Sequence, residues 1–494
     1  MNSFPFSIAE LALSSQYVLP LLILLGAGLL LMLLDAFGAA KFLPWVAGAA
    51  FLLSAGVAWT QGAPAGRLAF FGMMETGGIA PIVHAFLCLS GLLTLFFLSD
   101  YLDRHDRHIS DVYALLVFAV LGMSLMANAH DLIMTFIGLE TMSMCLYIFA
   151  ALFKTELKSN EAGLKYFLLG SFASAFLLYG IALIYGITGT TNFSLLASPE
   201  RIEIIQSQQT VFYVGAGMLL VGLLFKVSAF PFHFWTPDVY EGTPTPLAGF
   251  MATGSKMATF VALGTLMHQL DMFQNTKLLS VVGLASLLTM IYGNIVASRQ
   301  QNIKRMLAYS SIAHSGYVLL GLCASQSGME AMLFYMFIYT LMNIGAFGML
   351  GMVEHDYPDT ELENWRGMGQ KAPLFAVAFS LFLFSLAGIP PLAGFMGKYE
   401  IFIAVIREGL LLPAIVGILA SIVGVYYYLR VIVVMFFSKS GETSALLPSA
   451  SRIPLAGAAI LVVLVLVLGI FPSLILNPIT QALSGLSQAT AVLP

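Results

Sequence analysis

The run MLLVGLLFKVSAFPFHFW, residues 218–235, places a lysine and a proline inside an otherwise apolar segment. About twenty apolar residues in a helix cross the ~30 Å hydrocarbon core of a bilayer. An ionisable side chain at mid-bilayer is unfavourable by about 2.5–3.5 kcal/mol, so we expect Lys226 to have a function. Pro231 removes a helix hydrogen bond, which in lipid must be replaced by another partner. The run predicts a membrane helix that is interrupted beside a buried lysine.

The composition of the whole chain agrees with this interpretation. Of the 494 residues, 9% are charged and 59% are hydrophobic, with a mean hydropathy of +0.91. Soluble globular chains average about 25% charged residues. No polar stretch is long enough for a soluble domain, so residues 1–494 are predicted to form a single transmembrane domain. The net charge of −4 does not suggest nucleic acid, and the three cysteines stand singly, which indicates neither a disulfide framework nor a metal site.

Apolar runs between polar breaks predict an all-α polytopic membrane protein with fourteen transmembrane helices. The N-terminal stretch has no Lys or Arg before Tyr17, so we expect the run from Tyr17 to be a retained span and not a secretory signal. The predicted spans are residues 17–35, 42–60, 77–99, 112–129, 131–153, 162–188, 208–235, 243–270, 277–298, 303–324, 329–353, 373–405, 409–438 and 454–481.

Basic residues between the predicted spans indicate the orientation. Loops after odd-numbered spans hold thirteen lysines and arginines, whereas loops after even-numbered spans hold four: Arg67, Arg201, Lys277 and Arg407. Cytoplasmic loops carry an excess of such residues. The asymmetry predicts odd-numbered loops in the cytoplasm and both termini outside, and it supports the count of fourteen.

Four ionisable residues lie where charge is unfavourable, and they form the candidate site. Glu140, Lys226 and Lys256 have apolar turns on both sides, and Lys398 follows a break rich in glycine and proline. We interpret them as proton-transfer residues, because buried ionisable groups in membrane helices mark ion pathways. The alternative is that such residues form structural ion pairs or extend their charged ends to the membrane surface. For Arg430, near the end of its span, the sequence favours neither interpretation over the other.

A lysine opposite a carboxylate can work as a proton switch. Burial disfavours the ammonium form, and a nearby carboxylate favours it. At about 6 Å and an effective dielectric constant near 20, the attraction is roughly 3 kcal/mol. If Glu140 approached Lys226 in one state and receded in another, the lysine would bind a proton and then release it. The sequence leaves open whether the two residues meet.

A second interrupted span, SLAGIPPLAGFMGKYE at residues 385–400, also carries a lysine, Lys398. It is the twelfth span, five after the seventh, so the two run in opposite directions. Paired interrupted spans are typical of inverted-repeat transporters with a site near the membrane centre. We predict two inverted five-helix repeats, with discontinuous helices 7 and 12. Helices 4–8 fall in residues 112–270 and helices 9–13 in residues 277–438, with residues 1–111 before them and 454–494 after them.

Two histidines are candidate relay groups. The shift by five spans relates the helix of Glu140 to that of His314, and His233 stands beside the first break. Histidine titrates near neutral pH and could connect two half-channels, although interior histidines are often purely structural. Five further polar side chains could hold water between relay groups or only pack helices: Tyr292, Tyr309, Ser310, Ser311 and Asn343.

Three blocks together resemble the antiporter-like subunits of respiratory complex I. They are LLFKVSAFPFHFWTPDVYEGTPTP (223–246), NIVASRQQNIKRMLAYSSIAHSGY (294–317) and the 385–400 stretch. The similarity covers essentially the whole chain. Lys398 differs from the glutamate of subunit M, and subunit L continues in a long C-terminal extension, so the resemblance favours subunit N of the bacterial NADH-quinone oxidoreductase.

The resemblance implies fourteen helices, two half-channels and a charged axis at mid-membrane. Carried over by motif, Glu140 resembles the fifth-helix glutamate, and Lys226, Lys256 and Lys398 the lysines of helices seven, eight and twelve. It implies a proton-translocating subunit of the bacterial inner (plasma) membrane, driven by quinone reduction elsewhere in the complex. The chain itself is expected to hold no cofactor or metal. NAD, FMN, iron–sulfur clusters and quinone are expected in partner subunits, and subunits M, K and J are expected as membrane partners.

Three alternatives remain open from the sequence. The chain could be a cation/proton antiporter subunit of the same family, which would carry the same buried charges. It could be a structural scaffold with inert ion pairs. It could also belong to a ferredoxin- or hydrogenase-coupled relative of the complex.

Overall fold

The chain folds into a bundle of helices, many of them long enough to cross a bilayer. The computed structural model describes residues 8–61, 67–105, 107, 109–269, 276–354, 360–438 and 452–490. The helices are α1 (Ile8–Ala36), α2 (Leu43–Gln61), α3 (Ala80–Arg104), α4 (Asp111–Ala127), α5 (Leu132–Ala150), α6 (Leu157–Thr188), α7 (Phe193–Leu196), α8 (Pro199–Ser207), α9 (Gln209–Lys226), α10 (Thr236–Gly242), α11 (Thr245–Phe250), α12 (Lys256–Gln269), α13 (Thr276–Ala297), α14 (Ile303–Leu322), α15 (Ser325–Glu354), α16 (Met368–Lys371), α17 (Pro373–Ala387), α18 (Ala393–Arg407), α19 (Leu411–Phe437), α20 (Arg452–Ile470) and α21 (Ser473–Thr490).

Ten of the helices in the described ranges are long and apolar enough to span a membrane. These are α1, α2, α3, α5, α6, α9, α13, α15, α19 and α20. Large apolar side chains cover the outer faces of the bundle, as at Leu33, Trp45 and Phe172. A surface of this kind is suited to lipid rather than to water. The prediction of a helical, multi-pass membrane protein is confirmed.

The centre of the bundle is α15, whose membrane-length window is buried throughout. It packs against α3, α11, α14, α17, α18 and α20. Close packing is possible because small residues lie at the contacts: a Cβ added at Gly345 would collide with the ring of Phe382. Small residues at contacts are typical of helices that associate in membranes.

The predicted seventh span, residues 208–235, is not one helix. Its first part, α9, ends at Lys226, and the next helix, α10, begins at Thr236. Two of the backbone groups around the break find new partners. The indole nitrogen of Trp235 donates to the Phe225 carbonyl at 3.1 Å, and the Phe230 amide donates to Oγ1 of Thr289 at 2.8 Å. These replacements make a broken helix acceptable at membrane depth.

Two further predicted spans are divided. The twelfth, residues 373–405, separates into α17 and α18, and Gly388 ends α17 with a φ of +87°, which favours glycine. The prediction of one final helix over residues 454–481 is wrong. There α20 ends at Ile470 and α21 begins at Ser473, because Pro472 has no N–H to donate to the preceding turn.

Three local features have no counterpart in the sequence-based prediction. The eighth predicted span, residues 243–270, contains a π-helical turn at Met251–Ser255, directly before Lys256. A two-stranded antiparallel sheet pairs Leu68–Ala69 with Met74–Glu75, so the fold is not strictly all-α. Two short 3₁₀ helices lie at Ala40–Phe42 and Leu362–Trp365.

Candidate functional site

Lys226, the last residue of α9, is almost completely buried. Its Nζ donates to the hydroxyl of Tyr147 on α5, at 3.1 Å. The same Nζ lies 5.0 Å from the ring centre of Tyr147 and 5.4 Å from that of Tyr166 on α6. Aromatic faces attract cations, so this aromatic pocket can hold the ammonium group without a carboxylate.

Glu140 lies two turns before Tyr147 on α5, and it is only partly buried. Its Oε1 accepts a hydrogen bond from Ser174 on α6. Among the described side chains, Glu140 and Lys226 form no ion pair within 4.0 Å. The structure therefore places Tyr147, and not Glu140, as the direct partner of Lys226.

Lys256 begins α12 immediately after the π-helical turn, and it is 1% exposed. Its Nζ donates to the Ser311 carbonyl at 2.9 Å, to Oγ of Ser311 at 2.6 Å and to Oγ of Ser315 at 2.9 Å. Three acceptors match the three protons of an ammonium group. A π-helical turn inside an α-helix commonly marks a functional position.

His314 lies on α14 beside the serines that hold Lys256. Its Nδ1 is hydrogen-bonded to the Tyr335 hydroxyl, and its Nε2 lies 3.2 Å from the Tyr428 hydroxyl. Ser310, one turn before His314, is hydrogen-bonded to the same Tyr428 at 2.5 Å. The histidine thus joins α14 to α15 and α19 through neutral groups that can both donate and accept protons.

Lys398 is buried near the start of α18, opposite the end of α17. Its Nζ donates to the carbonyls of Leu386 and Ala387 at 3.1 and 3.0 Å and to Oγ of Ser421 at 2.9 Å. It also lies 5.2 Å from the ring centre of Tyr317. Because the carboxyl end of a helix carries partial negative charge, the end of α17 stabilises the ammonium group.

His233 lies inside the break between α9 and α10. Its ring centre is 4.3 Å from that of Tyr292 on α13, and its Nδ1 is buried with no hydrogen-bond partner among the described residues. No hydrogen bond within those residues connects it to Lys226 or Lys256. The described part of the chain also contains no group of three or more His, Cys, Asp or Glu side chains that could hold a metal ion.

At one end of the bundle, five charged residues join α6, α10 and α14. Asp238 pairs with Lys165 at 2.8 Å and Arg305 at 3.0 Å, and Glu241 pairs with Arg305 at 2.5 Å and Lys158 at 3.0 Å. Burial raises the pKa of Asp238, but hydrogen bonds from Lys165 and Arg305 outweigh it, so the net shift is downward. Burial likewise raises the pKa of Glu241, but hydrogen bonds from Arg305 and Lys158 lower it more, so the net shift is also downward.

A second ion pair near this end is buried. Lys304 on α14 pairs with Glu354 on α15 at 2.9 Å, and Thr245 on α11 donates to the same carboxylate. Their side chains are 4% and 10% exposed. A water-accessible cavity of about 290 Å³ reaches this pair. The ion pair joins α14 to α15, and the bond from Thr245 adds α11; none of the three residues contacts Lys226, Lys256 or Lys398 in a hydrogen bond among the described residues.

The sequence predicts Lys226 and Lys398 beside helix breaks and Lys256 within an apolar run, but it does not predict most of the groups that these lysines and His314 contact. Tyr147 contacts Lys226, and Tyr335 and Tyr428 contact His314. They are three of 19 tyrosines, and no local pattern distinguishes them. Ser311 was selected as a polar group in the 294–317 block, yet its bond to Lys256 joins positions 55 residues apart. Such partners depend on helix packing, which one sequence does not specify.

Comparison with known proteins shows that the chain is similar to members of one family. The family "NADH:quinone oxidoreductase/Mrp antiporter, TM" matches residues 129–426. NADH-quinone oxidoreductase subunit N 1 of Chloroherpeton thalassium is 43% identical, over 84% of this chain and 87% of the relative. Subunit N of Trichlorobacter lovleyi is 40% identical, over 94% and 96%. A chain of respiratory complex I from Thermus thermophilus superposes with a TM-score of 0.77 at 32% identity, covering 93% and 98%.

Proposed function

The chain belongs to the NADH:quinone oxidoreductase/Mrp antiporter family and within it to the subunit N type of complex I membrane subunits, and we propose that it translocates protons. The observation that carries the proposal is the row Lys226, Lys256 and Lys398. Among the described residues, none of these lysines has a carboxylate within 4.0 Å. Each is held by hydroxyls, carbonyls or aromatic faces.

Neutral partners suit a lysine that must release its proton. A carboxylate within salt-bridge distance would favour the ammonium form and oppose proton release. Hydroxyl groups accept a hydrogen bond from the ammonium form and can donate one to the neutral amine. Tyr147 and Ser311 can therefore serve both protonation states of their lysines, Lys226 and Lys256.

The proposed route runs from the cytoplasm to Lys226, then to Lys256 and out by way of Lys398. Glu140 tunes the proton affinity of Lys226 through Tyr147 rather than by direct contact. His314 relays protons between Lys256 and the second half-channel, where Tyr428 and Tyr335 flank it. His233 is a weaker relay candidate. Each proton moved outward against 100 mV stores about 2.3 kcal/mol.

For the topology we propose fourteen crossings. Ten of them are the membrane-length helices, of which α9 belongs to the discontinuous helix 7. The other four are α4, α14, the helix that α11 and α12 form through the π-helical turn, and the discontinuous helix 12, made of α17 and α18. The repeats are residues 112–270 and 277–438, with residues 1–111 before them and 454–494 after them, and both termini lie on the periplasmic side of the inner membrane.

Matching backbone contacts support the repeats. The amide of Leu132, at the start of α5, donates to the Thr191 carbonyl after α6. The amide of Ile303, at the start of α14, donates to the Thr360 carbonyl after α15. In both repeats the first helix also packs on the second and on the last: α4 on α5 and α12, α13 on α14 and α19.

The energy comes from partner subunits in this proposal. NAD, FMN, iron–sulfur clusters and quinone belong to those subunits, and this chain binds no cofactor. Its membrane neighbours are the antiporter-like subunit M and small subunits such as K and J. Reduction of quinone in the complex shifts charge along the membrane, and the lysine row responds by binding and releasing protons.

The test is Lys256→Ala in the assembled complex, reconstituted in vesicles. We expect quinone reduction to persist while proton pumping is lost, because the centre of the row is interrupted. Lys277→Ala, at an exposed position outside the row, is the control. Normal pumping by Lys256→Ala complexes would identify the chain as a scaffold. Sodium-dependent proton exchange by vesicles containing this chain alone would instead indicate a cation/proton antiporter.

A further inference from the structure

A cavity of about 650 Å³ opens where the ends of α1, α4 and α5 meet. Its volume lies within the range of about 300–1,000 Å³ that is typical of ligand sites. Apolar side chains of the three helices form its walls. Two of them, Met32 on α1 and Ile148 on α5, are 54% and 46% exposed on the outer surface of the bundle. Phe118 lies two turns inside α4, so the cavity extends from the helix ends toward the apolar middle part of the helices.

The polar part of the cavity lies at the helix ends and carries charges of both signs. Arg107, Lys154 and Asp111 line it. Two carboxyl groups that do not line the cavity lie close to these residues. Arg107 pairs with Glu156 at 3.1 Å, and burial together with the neighbouring Asp35 raises the pKa of Asp111. Among the described residues, the two cations thus have three carboxyl groups near them, those of Asp111, Asp35 and Glu156. An anionic ligand would gain little from this set, whereas a zwitterion with a phosphate and an ammonium group matches both signs.

The remaining features of the cavity suit a lipid. The guanidinium of Arg107 donates to Oγ1 of Thr155 at 3.2 Å and to Oε1 of Glu156 at 3.1 Å, and with five N–H groups it has donors left for a phosphate. The exposed Lys154 lines the same cavity. The apolar walls continue onto the exposed surface of α1, where Leu29 and Leu33 are 53% and 57% exposed. A ligand with a charged head and a long apolar tail would use both parts at once.

We propose that this cavity binds one zwitterionic aminophospholipid, of the phosphatidylethanolamine type. Its phosphate lies at Arg107 and Lys154, its ammonium at Asp111, and one acyl chain follows Met32 and Phe118. The lipid then packs against Ile148, the residue after Tyr147. It supports the part of α5 that holds Lys226, and this binding does not depend on the proposed proton route.

The experiment uses the whole complex in nanodiscs with photo-crosslinkable phosphatidylethanolamine or phosphatidylglycerol, each with a diazirine in the acyl chain. Labelled peptides are identified by mass spectrometry. We expect phosphatidylethanolamine to label the ends of α1, α4 and α5 saturably. Unlabelled phosphatidylethanolamine should compete, and phosphatidylglycerol should compete poorly.

Two substitutions test the head-group contacts separately. Lys154→Glu should lower labelling about tenfold, as expected for the loss of one charge-assisted hydrogen bond. Asp111→Asn should remove the preference for phosphatidylethanolamine over phosphatidylglycerol. Lys41→Glu makes the same change of charge at an exposed residue outside the lining, and it should leave labelling unchanged.

Three results would overturn the proposal. Equal labelling by both lipids would show unselective contact with surrounding lipid. Labelling that survives both Lys154→Glu and Asp111→Asn would show that the cavity does not hold the head group. Crosslinks to the peptides of another subunit in place of this chain would show that protein covers the cavity. None of these readouts uses proton pumping, so they are independent of the proposed function.

Discussion

Lys226 donates its hydrogen bond to the Tyr147 hydroxyl at 3.1 Å, while Glu140, on the same helix as Tyr147, accepts from Ser174. The lysine and the glutamate are thus connected through α5 and not by an ion pair. A phenol is a neutral partner, so it favours the ammonium form of Lys226 less than a carboxylate at the same distance would.

Removing this hydroxyl should impair pumping. Tyr147→Phe keeps the ring that packs edge-on against Tyr166 but leaves the Lys226 ammonium without its hydrogen-bond acceptor. A hydrogen bond to a charged group contributes about 1.5–3 kcal/mol, so we expect pumping per electron to fall about tenfold. The ratio of proton uptake to quinone reduction in vesicles measures it. Tyr179→Phe, at an exposed site on α6, is the control, and equal ratios in the two variants would contradict the role of Tyr147.

Ser311 and Ser315 should contribute jointly to proton pumping through their hydrogen bonds to Lys256. Ser311→Ala leaves the Ser311 carbonyl and Ser315 as acceptors, whereas Ser311→Ala with Ser315→Ala leaves only the carbonyl. We expect a small loss of pumping from the single change and a loss of about tenfold or more from the double change. Ser298→Ala, at a partly buried serine outside this site, serves as the control. If the double variant pumped as well as the single one, hydroxyls would not be needed at Lys256.

Gly388 should be required beside Lys398. A Cβ at this position would lie 3.1 Å from Cδ of Lys398, and its φ of +87° is unfavourable for other residues by roughly 1–2 kcal/mol. Gly388→Ala should therefore displace the lysine and reduce pumping. Gly409→Ala is a matched control, because its φ is +78° but nothing lies within 4 Å. If both variants lose similar thermal stability but only Gly388→Ala loses pumping, the contact with Lys398 and not the backbone strain causes the defect. Equal pumping by both variants would contradict this role of Gly388.

The ion pair between Lys304 and Glu354 should be needed for stability. Removing one partner of a buried pair leaves an uncompensated charge, which lowers the free energy of unfolding by about 3–5 kcal/mol. Lys304→Met should therefore lower the thermal stability of the complex strongly. Adding Glu354→Gln removes the stranded charge and keeps an acceptor for Thr245, so the double variant should recover much of the loss. Size-exclusion profiles after heating measure this, and a double variant less stable than Lys304→Met would argue against it.

The cluster of Asp238 and Glu241 should make stability depend on acid pH. The pKa of each is lowered in the folded chain by its basic neighbours despite burial. Their contribution is present above the unfolded values, about 4, and is lost as pH falls through the lower folded values. The stability difference between wild type and Glu241→Gln should thus hold at neutral pH and shrink below about pH 4. Glu363→Gln, in an exposed pair, is the control; a difference independent of pH would exclude these carboxylates.

How far the sequence predicted the site depended on the kind of residue. Glu140, Lys226, Lys256 and Lys398 could be selected because charge within an apolar run is rare and unfavourable. The helix breaks at Pro231 and Gly388 could also be predicted, because proline and glycine act on the backbone locally. The π-helical turn before Lys256 has no such marker: its residues, Met251–Ser255, are compatible with an ordinary helix.

The sequence by itself determined that the chain is a helical membrane protein and that Lys226, Lys256 and Lys398 are buried, since both follow from composition and from what single residues do in a bilayer. It did not identify the buried pair of Lys304 and Glu354. Only the tertiary structure decided what each lysine touches. Lys226 meets Tyr147 rather than Glu140, Lys256 meets two serines of α14, and Lys398 meets the end of α17. The contacts of Lys226 and Lys256 join positions 79 and 55 residues apart, and that of Lys398 spans the break between α17 and α18. All three depend on how the helices pack, which no local pattern encodes.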